Sequence, residues 1–167
     1  MIGNDVIDLA QSRIESRWQR RGFLEKLFTT PEQLLIKQSS EPEIMVWMLW
    51  SMKEAAYKIY NRQTKIRQYI PKKLDCTILI QENAQAKGLV SCGENIYYTN
   101  TIIDKDSIYT TAVCTLADLD HITAVENKNI FKDVNGIPYL YNAAANSYQD
   151  VSITHHGRFE KLAVIMK

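Results

Sequence analysis

Residues 43–61 read EIMVWMLWSMKEAAYKIYN, a run without glycine or proline that is apolar on most sides at helical spacing. Trp47, Met48, Leu49, Trp50 and Ala55 fall on more than one face and all seek burial, so this helix belongs at the centre of the fold. Three charged residues on it, Lys53, Glu54 and Lys58, are therefore conspicuous. A charge on a mostly buried helix must be paired, bind a metal or face a cleft.

Upstream of this helix, residues 2–9 form a brief apolar run that reads as a strand. Gln11 to Arg21 lacks glycine, proline and strand-type alternation and reads as a helix, ended by a turn at Gly22. Thr30-Pro31-Glu32-Gln33 has the form of a capping box with proline at the first helical position, which opens a helix through about Lys37. A second box spans Ser40 to Glu43. Downstream the character changes. Residues 75–81, 89–90, 95–103 and 108–116 are rich in Ile, Val, Thr and Tyr and are separated by turn residues such as Cys92-Gly93, which predicts an antiparallel meander. Asp118 to Asn127 reads as a short helix or an irregular connection, and Asn135-Gly136 as a tight turn. Val151 to Thr154 with Phe159 to Met166 reads as a hairpin turning at His156-Gly157. The fold class expected is α+β, an antiparallel sheet packed against a long central helix, in one domain over residues 1–167.

The charge balance narrows the partners. Twenty basic and nineteen acidic side chains leave a formal charge of +1, so no global field draws the chain to nucleic acid or a membrane, and a charged partner must meet a local patch. Cys76, Cys92 and Cys114 are odd in number and lack Cys-x-x-Cys spacing, which argues against a zinc knuckle or a closed disulfide framework. Asp5 and Asp8 interrupt the opening segment where a signal peptide needs apolar residues, and no run approaches the ~18 apolar residues of a membrane span. The expected location is cytoplasmic.

Two carboxylates invite a metal reading. If the opening strand lies beside the central helix, Asp5 and Glu54 share one small region, where like charges are unfavourable unless a hard divalent cation neutralises them. Magnesium suits such a site because it accepts one or two carboxylates and completes its shell with water and phosphate oxygens. Each residue also has a plainer reading. Glu54 and Lys58 are spaced for a helix-surface ion pair, Asp5 can cap the following helix, and Asp8 suits the dipole of that helix. Ser152, Thr154, His155, His156 and Arg158 surround a predicted turn and together suit either a phosphate site or an ordinary polar turn.

Three segments in this order resemble the 4′-phosphopantetheinyl transferase superfamily. Gly3-Asn4-Asp5-Val6-Ile7-Asp8-Leu9 is similar to its Gly-x-Asp strand, and Trp50-Ser51-Met52-Lys53-Glu54-Ala55-Ala56-Tyr57-Lys58 to its Trp-Ser-x-Lys-Glu-x-x-x-Lys helix. Asn135-Gly136-Ile137-Pro138, followed by Ser152-Ile153-Thr154-His155, resembles its Gly-Lys-Pro and Ser-x-Ser-His pair. The motif order resembles the short holo-acyl-carrier-protein synthase type, whereas the strand-rich middle looks more like half of the longer surfactin-synthetase-activating type.

The resemblance implies a magnesium-dependent transfer of 4′-phosphopantetheine from coenzyme A to a serine of an apo acyl or peptidyl carrier protein, with release of 3′,5′-ADP, in fatty acid or polyketide biosynthesis. It implies that Asp5 and Glu54 bind magnesium and that Lys58 faces the phosphates. Either Glu54 or a metal-held water would take the serine proton. It assigns Ser152, Thr154, His155 and Arg158, with Lys53, to coenzyme A. Arg13, Arg17 and Arg20, at spacings of four and three, would dock the acidic carrier. Two departures stand against the pattern: Ile7 occupies the third acidic position of the longer members, and Ile137 replaces the lysine of Gly-Lys-Pro. A homologue that binds coenzyme A or a carrier without transferring is the alternative. In the short type the metal residues and the coenzyme A hairpin meet across a subunit boundary, so the resemblance points to a homotrimer with shared sites, while the extra middle strands would alternatively let one chain close its own site.

Overall fold

The computed structural model describes residues 1–68, 70–126, 129–143 and 145–166. Its axis is the helix legible from sequence, α4 (Pro42–Thr64), with Met48, Leu49, Met52, Ala55, Ala56 and Ile59 buried along it. The helix stops at Lys65, which takes a left-handed conformation. Before it come the strand β1 (Ile2–Asp8) and the short helices α1 (Leu9–Glu15), α2 (Phe23–Leu27) and α3 (Thr30–Gln38).

Beyond it β2 (Asp75–Glu82), β3 (Gln85–Cys92), β4 (Asn95–Ile103) and β5 (Ser107–Val113) form the expected antiparallel meander. The first strand closes that sheet by pairing with β5, in the order β1-β5-β4-β3-β2. A second antiparallel sheet has the order β6-β10-β9-β8-β7. It consists of β6 (Ile122–Ala124), β7 (Ile130–Lys132), β8 (Pro138–Asn142), β9 (Ser147–His156) and β10 (Phe159–Ile165). The class is thus α+β, with antiparallel sheets and the long helix. No described helix is long and apolar enough to cross a membrane.

Several boundaries differ from the sequence reading. The helix expected over Gln11 to Arg21 ends at Glu15, and residues 16–22 form turns. Helix-compatible composition alone does not sustain a helix in water, and this stretch has no apolar stripe to bury: Ile14 is exposed and Trp18 is the one large apolar residue beyond it. The capping interaction of α3 sits one residue early, where the Glu32 carboxylate accepts from the Thr29 N–H at 2.7 Å. A 3-10 turn (Leu116–His121) and β6 occupy most of the segment left open between Asp118 and Asn127, although Asn127 itself lies outside the described residues. The hairpin turn falls on Gly157-Arg158, one residue later than expected, with Gly157 at φ 52°.

What joins the two sheets is a seam along β1. One edge of that strand is paired with β5; on the other, the N–H groups of Asn4, Val6 and Asp8 need partners that backbone pairing does not supply. Alternate side chains of β9 supply them. Ser152 Oγ accepts from Asn4 at 2.9 Å, Thr154 Oγ1 from Val6 at 3.1 Å, and His156 Nδ1 from Asp8 at 2.8 Å. Residues two apart on a strand point the same way, so Ser-x-Thr-x-His presents one continuous row of acceptors.

Candidate functional site

Gly3 explains how β1 reaches the helix. A Cβ at this position would run into the Ala55 carbonyl, so only glycine lets the strand lie directly against α4. Two residues further on, Asp5 lines a cleft of about 510 Å³, and Glu54, the neighbour of Ala55, lines the same cleft. Trp47 and Trp50, seven and four residues before Glu54 and hence on its side of the helix, form an apolar wall. Their positions make them the cleft residues the sequence reading overlooked, and the i, i+3, i+7 spacing was the signal available.

The two carboxylates are held in unfavourable surroundings. Burial pushes Asp5 up to about 6, against the pull of the Lys58 ammonium. Burial, reinforced by the charge of Asp5, pushes Glu54 up to about 7. Asp5 Oδ1 accepts from the Thr154 hydroxyl at 3.2 Å, and the Ser51 hydroxyl, which donates to the Asp5 backbone carbonyl at 3.4 Å, also favours the charged carboxylate, but the buried Oδ2 makes no hydrogen bond of ordinary geometry. Orphaned buried oxygens are uncommon, and a pair of crowded acids with one free oxygen is the donor set a hard divalent cation satisfies. The residues therefore fit magnesium. Among the described residues no group of three or more His, Cys, Asp or Glu could hold a metal, so substrate oxygens and water would complete the shell.

Lys58 does not form the simple helix-surface pair with Glu54. Its ammonium donates to the Asn4 carbonyl at 2.6 Å and the Ile153 carbonyl at 3.0 Å, bridging β1 and β9 beside the carboxylates. Burial pulls it below the usual lysine range even though Asp5 and Glu54 favour its charged form. It also lines a neighbouring cavity of about 210 Å³ with Arg62, Ile137 and Ser152. Ile137, in place of the lysine the resemblance leads one to expect, is buried there.

Other expected site residues are placed differently. Lys53 points into the core, 1% exposed, where it pairs with the fully buried Glu32 at 2.8 Å and donates to the Pro71 carbonyl at 2.7 Å and to the Leu74 carbonyl. It does not line the cleft, and an assignment to coenzyme A is at odds with that burial. Ser152 and Thr154 face the seam. Arg158 is committed to Asp8, donating from Nε at 2.8 Å and Nη2 at 2.9 Å. Asp8 in turn caps α1 by accepting from Ala10 and Gln11. Asp5 does not cap that helix. Of this group His155 is the one that lines the cleft.

The three arginines also part company. With α1 ending at Glu15, Arg17 and Arg20 leave the helix, and Arg13 binds Glu43 through two nitrogens. Arg20 sits over the Phe23 ring at 5.4 Å and, with Lys26, lines the cleft. Finally, β1, α4 and β9 bring Asp5, Glu54 and Thr154 together within one chain. Within the chain, β9 lies along the edge of β1 that β5 leaves open.

No curated protein matches the chain. A family model described as the 4′-phosphopantetheinyl transferase superfamily matches residues 1–117, a span that contains Asp5, Glu54 and Lys58 and ends before the seam strand β9.

Proposed function

Because the chain belongs to the 4′-phosphopantetheinyl transferase superfamily, we propose that it transfers the 4′-phosphopantetheine arm of coenzyme A to a serine hydroxyl of an apo acyl or peptidyl carrier protein. The observation that carries this reading is the convergence of Asp5 and Glu54 on one cleft with an oxygen left unpaired. Asp5 and Glu54 would hold magnesium, which when bound neutralises charge on the coenzyme A diphosphate and on the departing 3′,5′-ADP.

The protein's own groups perform the rest. The carrier serine oxygen attacks the phosphorus bearing the pantetheine arm, the bond from that phosphorus to 3′,5′-ADP breaks, and the serine proton passes to Glu54. Burial and the neighbouring charge of Asp5 raise the proton affinity of the Glu54 carboxylate. Lys58 keeps a fixed positive charge beside the reacting diphosphate, anchored by two backbone carbonyls. His155 lines the cleft, where its ring meets phosphate oxygens. Trp47 and Trp50 narrow access for water.

The carrier docks at the basic rim of the cleft. Arg17, Arg20, Arg21 and Lys26 are exposed around the turn between α1 and α2, a local patch of the kind that steers an acidic partner on a chain of nearly zero net charge. We place the reaction in the cytoplasm.

The test is to incubate the protein with coenzyme A, magnesium and a set of apo carriers, and to weigh each carrier. A phosphopantetheine mass gain on at least one carrier that disappears when magnesium is chelated is the expected result. Magnesium-dependent coenzyme A binding with no gain on any carrier would instead identify a silent homologue.

A further inference from the structure

Thr154 occupies a position that the resemblance gives to coenzyme A, yet every hydrogen bond of its side chain is made inside the protein. Its oxygen accepts from the Val6 N–H at 3.1 Å, and its single hydroxyl proton goes to Asp5 Oδ1 at 3.2 Å. The direction is fixed by chemistry, since a backbone N–H can only donate and a carboxylate can only accept. The residue is 5% exposed, and its β-branched side chain has little rotamer freedom. One carboxylate oxygen of Asp5 is thereby tied to the seam while Oδ2 keeps no partner.

We propose that Thr154 is a positioning residue for the metal carboxylate: its hydroxyl fixes the plane of Asp5 by holding Oδ1, so that Oδ2 is the oxygen presented to the cation. Ser152 provides an internal comparison. It makes the same kind of seam bond, to the Asn4 N–H at 2.9 Å, but is not bonded to Asp5. The alternation of the strand thus divides two hydroxyls, two residues apart, into one that only joins the sheets and one that also orients the site. The inference rests on the proposed metal site and goes beyond it by naming what orients the ligand.

The experiment is a calorimetric titration of magnesium into protein saturated with coenzyme A, paired with melting curves, for wild type, Thr154→Val, Thr154→Ser and Ser152→Ala. Loss of an outer partner of a metal ligand typically weakens binding by roughly 10-fold to 100-fold, and that loss is expected for Thr154→Val. Thr154→Ser, which keeps the hydroxyl, should bind within about twofold of wild type. Ser152→Ala should lower the melting temperature much as Thr154→Val does, yet also bind magnesium within about twofold of wild type. If Thr154→Val does not fold, Thr154→Ala carries the same expectation. Wild-type affinity in Thr154→Val or Thr154→Ala, a loss in Thr154→Ser as large as in Thr154→Val, or an equal loss in Ser152→Ala, overturns the positioning role. A wild-type protein that takes up no magnesium overturns the underlying site as well, and is distinguished by its own silence.

Discussion

Glu54→Gln is expected to melt several degrees above the wild type in metal-free buffer at pH 8, while transfer activity falls by about 10²- to 10⁴-fold with the loss of the base and ligand. The gain comes from relief of a buried charge. Glu54 titrates near its ordinary 4.5 when unfolded and at about 7 when folded, so the folded state holds its proton more tightly. Its contribution to stability is fully present below about 4.5 and is lost as the pH rises through about 7. At pH 8 that loss is on the order of 3 kcal/mol at most, and each kcal/mol corresponds to about 2–4 °C for a chain of this size. Asp5, raised from 3.8 to about 6, adds a loss of the same sign over a slightly lower range. The difference between variant and wild type should therefore vanish near pH 4, and magnesium should stabilise the wild type alone. Equal melting temperatures at pH 8 and pH 4 would show that Glu54 is not held in this way.

Lys53→Met should have the opposite character, a large loss of stability with the site intact. Lys53 and Glu32 form a buried pair at 2.8 Å, and Glu32 also accepts from the Thr29 and Cys76 N–H groups. Removing one member of such a pair leaves an uncompensated charge and destabilises by about 3–5 kcal/mol. For this chain that corresponds to a fall of about 6–20 °C in melting temperature. Glu32→Gln combined with Lys53→Met should recover much of the loss, because no unpaired charge remains. Coenzyme A affinity of the folded protein should be unchanged at a temperature below the transition. A variant that melts like wild type but binds coenzyme A far more weakly would return Lys53 to the ligand set.

The contrast between Lys53 and Lys58 shows where sequence reading stops. Both are lysines on α4, five residues apart, which places them about 140° apart around the helix. One therefore meets Glu32 of α3, the other the backbone of β1 and β9. The composition of the helix showed that its charges needed partners, but which partner each would find depended on elements distant in the chain. The central helix itself was legible because its apolar residues cover most of its circumference. Asp5 and Glu54 were legible as chemistry, and Gly3 supplies the reason they meet, since its missing side chain is filled by the Ala55 carbonyl.

The seam was harder to read. Ser152, Thr154 and His156 look like a turn sequence suited to phosphate, and their alternation acquires meaning only once the open edge of β1, some 148 residues away in sequence, lies against them. The end of α1 at Glu15 was hidden for a different reason: nothing in residues 16–21 breaks a helix, but nothing there gives one a face to bury. The very short strands β6 and β7, three residues each, are below the length at which alternation carries information.

Manganese offers the most direct view of the shared cation, because its unpaired electrons broaden the ³¹P resonances of any phosphate bound beside it. With coenzyme A in excess and a trace of manganese, the wild-type protein should broaden the diphosphate signals well beyond what free manganese does, and Asp5→Asn and Glu54→Gln should each abolish that enhancement. Undiminished broadening in both variants, or none in the wild type, would contradict a site in which these two carboxylates hold one ion against the diphosphate.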